Sequence, residues 1–167
     1  MPQPPSETLQ FLRSEPDVVA ERMTTMAAAH GGWINLRPQV HDEGGAEDAP
    51  EATAVQPAGL FSVFGGGGPP VPLCTWTPGE QRRRGVEPAS VGIQHAVGPK
   101  AARWLVEFGT PVPDGWAVVQ DHPRRGLVVR PPADATSEVV LGWLLEAGDA
   151  LCRLPLTGWW RAAVFVA

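Results

Sequence analysis

The chain of 167 residues has an ordinary globular composition, with 43 % hydrophobic and 19 % charged residues. This length and composition exclude an intrinsically disordered chain and allow a conventional buried core. The formal net charge is −5, but five acids between His41 and Glu51 account for it, because the remainder holds 13 acids (18 − 5) and 13 bases. A neutral body lacks the concentrated positive charge that nucleic acids and anionic membranes attract, so neither is expected as a partner.

Cys74 and Cys152 are the two cysteines of the chain, and they lie far apart in sequence. This spacing argues against a zinc ribbon or a disulfide scaffold and favours a reducing compartment, although a single bridge between them stays an alternative. The N-terminus lacks the pattern of a signal peptide, and no apolar run reaches the ~18 residues of a membrane span. We therefore expect a soluble, cytoplasmic protein, and we predict no cofactor.

The first part of the chain predicts one helix and several short strands. Residues 1–14 are expected to be a partly flexible segment with a helical turn over Ser6–Arg13, and residues 15–167 a single domain. A core helix is expected to begin at Ser14, because Ser-Glu-Pro-Asp combines a cap, an early proline and acids, and to end at the glycines of residues 31–32. Strands are predicted at residues 33–36, before Pro38, and at 60–64, 72–76 and 90–94.

Two connections in this part of the chain stand out by composition. Residues 41–58 form an acidic segment rich in alanine, glycine and proline, which we interpret as a loop. The glycine run at residues 65–68 is not followed by the Gly-Lys-Ser/Thr ending of a phosphate loop, so we interpret it as a flexible loop or lid. A second polar loop is predicted around Arg82-Arg83-Arg84.

The second part of the chain predicts two helices and three strands. Gly98-Pro99 precedes a helix on which Trp104, Leu105 and Phe108 form an apolar stripe that should face the core. A longer helix begins near Thr136 and ends before Pro155. Strands are predicted at 116–120, 127–130 and 159–166, and the last is apolar on both faces, which predicts a central or well-covered position.

These elements together predict an α+β fold. We expect a mixed, largely antiparallel sheet of about six to seven short strands covered by about three helices. Residues 90–120 should contain one strand-helix-strand (βαβ) unit with two parallel strands joined by a right-handed crossover. The carboxyl ends of those strands would then lie at one edge of the sheet.

That edge is the strongest candidate site in the sequence. It would bring together His95, the helix N-terminus near Lys100, and the segment Asp121-His122-Pro123-Arg124-Arg125. Ligands of α/β sheets bind at such edges, and free N–H groups at a helix N-terminus attract anions. Lys100, Arg124 and Arg125 are therefore candidate anion-binding residues.

A catalytic interpretation assigns His95 and His122 to acid/base roles and Asp121 to orienting one imidazole. The opposing interpretation is a plain turn, because aspartate, proline and glycine are turn formers and arginines prefer solvent. A metal site at His95, Asp121 and His122 is chemically reasonable, but the sequence has no paired-histidine spacing to support it, so we predict none. Cys74 is expected to be a buried structural residue.

The leading hypothesis is a non-catalytic binding or regulatory domain that recognises a small anionic ligand or a protein partner at this edge. One alternative is a small hydrolase or transferase acting on an anionic substrate. Another is a protein-interaction module that uses exposed tryptophans, and this alternative includes a homo-oligomer. The seven tryptophans are otherwise expected in the core, above all Trp104 and Trp143, whereas Trp76, Trp116 and Trp159 are undecided.

Overall fold

The computed structural model of the chain describes residues 2–41 and 68–167. The strand predicted at 60–64, nearly all of the acidic loop and most of the glycine run lie outside the described residues. The described part contains nine strands and three helices: β1 Glu7–Leu12, α1 Asp17–Ala29, β2 Trp33–Val40, β3 Leu73–Thr77, β4 Glu80–Arg82, β5 Gly85–Glu87, β6 Ser90–Gln94, α2 Ala101–Glu107, β7 Ala117–His122, β8 Gly126–Arg130, α3 Ser137–Leu151 and β9 Leu156–Phe165.

Seven strands form the main sheet in the order β1-β9-β2-β3-β6-β8-β7. Every neighbouring pair in the described sheet is antiparallel. The predicted α+β class is therefore confirmed. The remaining strands, β4 and β5, pair with each other as a separate hairpin where the sequence predicted a polar loop.

The predicted strand-helix-strand unit is not confirmed as a pair of neighbouring parallel strands. Strands β6 and β7 flank α2 in sequence, but β8 lies between them and pairs antiparallel with each. The two strands still point in the same direction, because both oppose β8. Their carboxyl ends therefore share one edge of the sheet, as the site prediction requires.

The helical turn predicted over Ser6–Arg13 is wrong, because this segment forms the edge strand β1. All six residues of β1 pair with β9, from Glu7 opposite Val164 to Leu12 opposite Trp159. Phe11 is buried, whereas Thr8 and Gln10 are exposed, which is the two-residue period of a strand. Pairing with a distant strand outweighed the local helical pattern.

Strand β2 also continues further than its sequence predicts. It runs through Pro38, which lies opposite Trp160, and reaches Val40 with a shift of register after the proline. A proline cannot donate to the ladder, so an irregularity at this point is expected. Strand β9, which lies between β1 and β2, occupies the inner position that its two apolar faces predicted.

The predicted start is confirmed for α3 but not for α1, which begins at Asp17 after Pro16 and has no side-chain cap, so the cap predicted at Ser14 is wrong. The Thr136 hydroxyl caps α3 by accepting from the Val139 N–H at 3.4 Å. Helix α1 ends at His30, which adopts a left-handed conformation with φ of 53°. Helix α3 packs against α1, α2, β2 and β3, and it supplies eight buried residues to the core. Within the described residues, no helix is long and apolar enough to cross a membrane.

The core lies between the helices and the buried face of the sheet. Alternate residues of the strands point into it, among them Ile34, Cys74 and Trp160. Cys74 is buried, as predicted, and burial raises the pKa of its thiol. The approach of α3 is close at Gly148, where an added Cβ would lie 2.5 Å from Cη2 of Trp160 and 3.2 Å from Sγ of Cys74.

Candidate functional site

The predicted edge is formed, and Asp121 lies at its centre. The two carboxylate oxygens of Asp121 accept hydrogen bonds from the backbone N–H groups of Ala101, at 2.9 Å, and Ala102, at 3.0 Å. These are donors at the start of α2 that helix geometry leaves without partners. An internal carboxylate therefore occupies the position where the sequence predicts an external anion.

His95 directly follows β6 and is almost completely buried, with 1 % of its surface exposed. Neither ring nitrogen has a hydrogen-bond partner among the described residues. Burial lowers the pKa of the imidazole, and the negative charge of Asp121 opposes this effect in part. His95 is thus a core residue at the end of the sheet, and its side chain is closed to a solvent-borne substrate.

His122 has a local structural role in the turn that joins β7 to β8. Its Nδ1 accepts hydrogen bonds from the backbone N–H groups of Arg124, at 3.1 Å, and Arg125, at 3.2 Å. The side-chain amide of Gln120 closes the same turn by donating to the carbonyl oxygens of Arg125 and Gly126. These contacts agree with the turn interpretation of this segment.

The three candidate anion-binding residues are exposed around this edge. Lys100 adopts a left-handed conformation, with φ of 63°, immediately before α2, whereas Arg124 and Arg125 lie in the turn after β7. The edge thus combines exposed basic side chains with helix donors that are already occupied. An anion could therefore contact this edge only through surface ion pairs with these basic side chains.

The edge therefore holds three side chains with separate structural roles, those of His95, His122 and Asp121. The imidazole of His95 is enclosed, the Nδ1 of His122 is bound to its own turn, and both oxygens of Asp121 are bound to α2. Acid/base catalysis requires groups that reach a common substrate atom. Among residues 2–41 and 68–167, no group of three or more potential metal ligands is found.

The most conspicuous feature near this edge is apolar, and its predicted burial in the core is wrong. Trp104 is 41 % exposed and Phe108 is 51 % exposed, although both were predicted to face the core. Their rings stack with centroids 5.8 Å apart. Only Ala101 and Leu105 of α2 are buried, and Val106 is exposed as well.

A signal for this exposure does exist in the sequence. Six of the eight residues from Ala101 to Phe108 are apolar, and they are distributed around the helix. A helix of two turns that packs on one side can bury only one stripe of such residues. The excess predicts either a fully enclosed helix or an exposed apolar surface, and the second is observed.

Strand β7 adds to this apolar surface. It is the last strand of the sheet, and α2 packs against it. Val118 and Val119 are each 46 % exposed, and Ala117 is exposed as well. We call the set Trp104, Val106, Phe108, Val118 and Val119 the α2–β7 surface.

The other tryptophans divide between the core and the surface. Trp76, Trp143 and Trp160 are buried, as predicted for Trp143. Trp116 packs edge-to-face on Trp143 with ring centroids 5.3 Å apart. Trp159 is exposed on β9, on the far side of the sheet order from α2.

A second group of unsatisfied polar atoms lies on β2. The indole N–H of Trp33 and the side-chain amide nitrogen of Asn35 are buried and have no hydrogen-bond partner among the described residues. The oxygen of the same Asn35 amide accepts a hydrogen bond from the Thr75 hydroxyl at 2.9 Å. Sequence reasoning did not single out either residue, because their burial depends on distant neighbours.

No protein-family model, no curated protein and no solved structure matches this chain. The geometry described above is therefore the basis on which a function can be argued.

Proposed function

We propose that this chain is a non-catalytic protein-binding domain whose contact region is the α2–β7 surface. The observation that carries the proposal is the exposed, stacked pair Trp104–Phe108. Large aromatic side chains supply a disproportionate share of the binding energy at protein interfaces. Stacking also fixes the two rings in the free protein, so less conformational freedom is lost on binding.

The surroundings of this aromatic pair favour a protein partner over a small molecule. Val106, Val118 and Val119 extend the apolar area onto the outer part of α2 and onto β7. Several exposed apolar residues on two elements that pack together are typical of interaction surfaces, whereas isolated exposed residues are common everywhere. Arg103 and Glu107, which are paired at 3.6 Å on the same helix, would supply a polar rim.

The competing functions have less support from the geometry. A small anionic ligand at the start of α2 would have to displace the Asp121 carboxylate from two hydrogen bonds. A hydrolase or transferase would need His95 to reach a substrate, and that side chain is enclosed. The protein-binding function requires no such rearrangement.

Site-specific photo-cross-linking in the cells that express the protein tests the proposal. A photoreactive amino acid at position 104 should give an adduct of defined mass, whereas the same group at the exposed Val86 on β5 should not. The purified partner should then bind the Trp104→Ala variant at least tenfold more weakly than the wild type, with the Val86→Ala variant unchanged. Equal adducts at both positions, or none at either, would contradict the proposal.

A further inference from the structure

The free edge of β7 points to a more specific partner. Strand β7 pairs with β8 on one side and, among the described strands, with none on the other. An unpaired strand edge presents a row of N–H and C=O groups that are ready to pair with another extended chain. The backbone of this edge is therefore suited to bind another chain in an extended, strand-like conformation.

The opposite edge of the sheet carries features that discourage such pairing. Strand β1 begins with the charged Glu7, which is paired with Arg22 at 2.5 Å, and its exposed residues are the polar Thr8 and Gln10. Charged side chains are a common device that protects an edge strand, so the two edges of this sheet differ in the residues that they expose.

Strand β7 lacks charges where it is most exposed. Its first three residues, Ala117, Val118 and Val119, are all apolar and exposed. The strand has one carboxylate, that of Asp121, and this group is bound to α2 within its own subunit. Two copies of the strand could therefore approach each other without placing free like charges side by side.

From these observations we infer that the β7 edge pairs with β7 of a second copy of this chain, antiparallel and about a two-fold axis. This inference rests on the proposed function, because it identifies the partner of the same surface. In a two-fold contact the same patch faces itself, and the apolar first half of β7 is compatible with its own copy because it brings no charge into the contact. Pairing would join the two sheets into one continuous sheet.

The contact must extend beyond the strand. A stable interface buries about 800 Å² on each partner, which three small strand residues cannot supply. Helix α2 packs against β7 and exposes Val106, Trp104 and Phe108, so it offers the additional apolar area. The bulge between Val118 and Gln120 interrupts the pairing of β7 with β8 at Val119, which is itself exposed.

Sedimentation velocity across the micromolar range tests this inference. The wild type should approach twice its mass of 17.8 kDa as its concentration rises. Val118→Lys should remain a monomer at concentrations where the wild type is a dimer, because it places a cation from each copy in the apolar contact. Val86→Lys makes the same change at an exposed valine of the separate hairpin and should still form the dimer.

Two controls keep the outcomes distinct. Circular dichroism should show that Val118→Lys folds, since its side chain is already half exposed, and Val119→Lys provides a second disruption at the same edge. A wild type that stays at 17.8 kDa, or a folded Val118→Lys that still dimerises, would overturn the inference. If the protein is a monomer and position 104 cross-links to a different protein, the dimer inference is overturned and the proposed function stands. If it is a monomer and position 104 gives no adduct, both are overturned.

Discussion

The carboxylate of Asp121 accepts a hydrogen bond from the Ala101 N–H at 2.9 Å, so a strand residue caps a helix that begins 20 residues earlier in the chain. A second bond, from the Ala102 N–H at 3.0 Å, occupies the other carboxylate oxygen. The negative charge also lies at the positive end of the helix dipole. This contact ties α2, and with it the α2–β7 surface, to the end of β7.

Removal of this cap should destabilise the domain. We expect Asp121→Ala to lower the free energy of unfolding by about 1–2 kcal/mol, the usual cost of losing a helix cap. Asp114→Ala, at an exposed aspartate three residues before the start of β7, should stay within about 0.5 kcal/mol of the wild type. Urea denaturation measures both values. Equal stabilities of the two variants would show that the Asp121 contact does not hold α2 in place.

The contribution of His95 to the stability of the domain should decrease as the pH falls below about 6.5, the ordinary pKa of histidine. Burial lowers the pKa of His95 in the folded state, so between the two pKa values the unfolded chain binds a proton that the folded chain does not. Acid therefore favours unfolding. The stabilisation that neutral His95 gives the folded state is fully present above the pKa of the unfolded chain and is lost as the pH falls through the pKa of the folded state. His95→Phe should weaken the pH dependence of the free energy of unfolding between pH 7 and pH 5, in denaturation series at fixed ionic strength.

The titration of His95 can also be followed directly by NMR. Its midpoint should lie below 6.5, and Asp121→Asn should move it lower still, because the aspartate charge raises the pKa. A midpoint at or above 6.5 in the wild type would contradict the burial of this side chain.

Two glycines of α3 should respond in opposite ways to alanine. Gly148→Ala places a Cβ 2.5 Å from Cη2 of Trp160, and the overpacking should destabilise the domain by about 1–3 kcal/mol. Gly142→Ala meets no described atom within 4 Å, so it should stabilise the domain by about 1 kcal/mol through the higher helix propensity of alanine. Thermal unfolding distinguishes the two. Similar effects from both substitutions would argue against the close packing of α3 on the sheet.

Cys74 should be unreactive toward thiol reagents in the folded protein. Its burial raises the pKa of the thiol, and the thiolate is the reactive form. In a Cys152→Ser variant, Ellman's reagent should therefore label Cys74 only after denaturant is added. Rapid labelling of that variant without denaturant would show that the core around β3 opens easily.

The sequence predicts the elements better than it predicts their surroundings. Alternating apolar residues predict a strand at 90–94, and β6 has these bounds. A cap and an apolar stripe predict a helix from Thr136, and α3 begins directly after this residue. Both patterns are local, so single-sequence reasoning can identify them. The segment that forms β1 is predicted as a helical turn. Its pairing with β9 joins residues more than 140 positions apart, so no local pattern indicates it.

The candidate site shows the same division. Strand direction brings His95 and Asp121 to one edge, as the sequence predicts, but the roles of these residues depend on contacts that no local pattern encodes. Asp121 binds α2, and the rest of the fold encloses His95. Trp104 shares its helix stripe with the buried Leu105, yet no described element covers its indole fully. Burial is a property of the assembled fold, so it could not be read from the helix alone.

Hydrogen–deuterium exchange on the complex with the partner identified by cross-linking, or with a second copy of the chain, tests whether the α2–β7 surface is the contact region. Partner binding should slow exchange mainly in α2 and in the first residues of β7, which together carry the α2–β7 surface. Protection centred instead on the turn at 122–125, or on β9 around Trp159, with α2 and β7 unchanged, would contradict it.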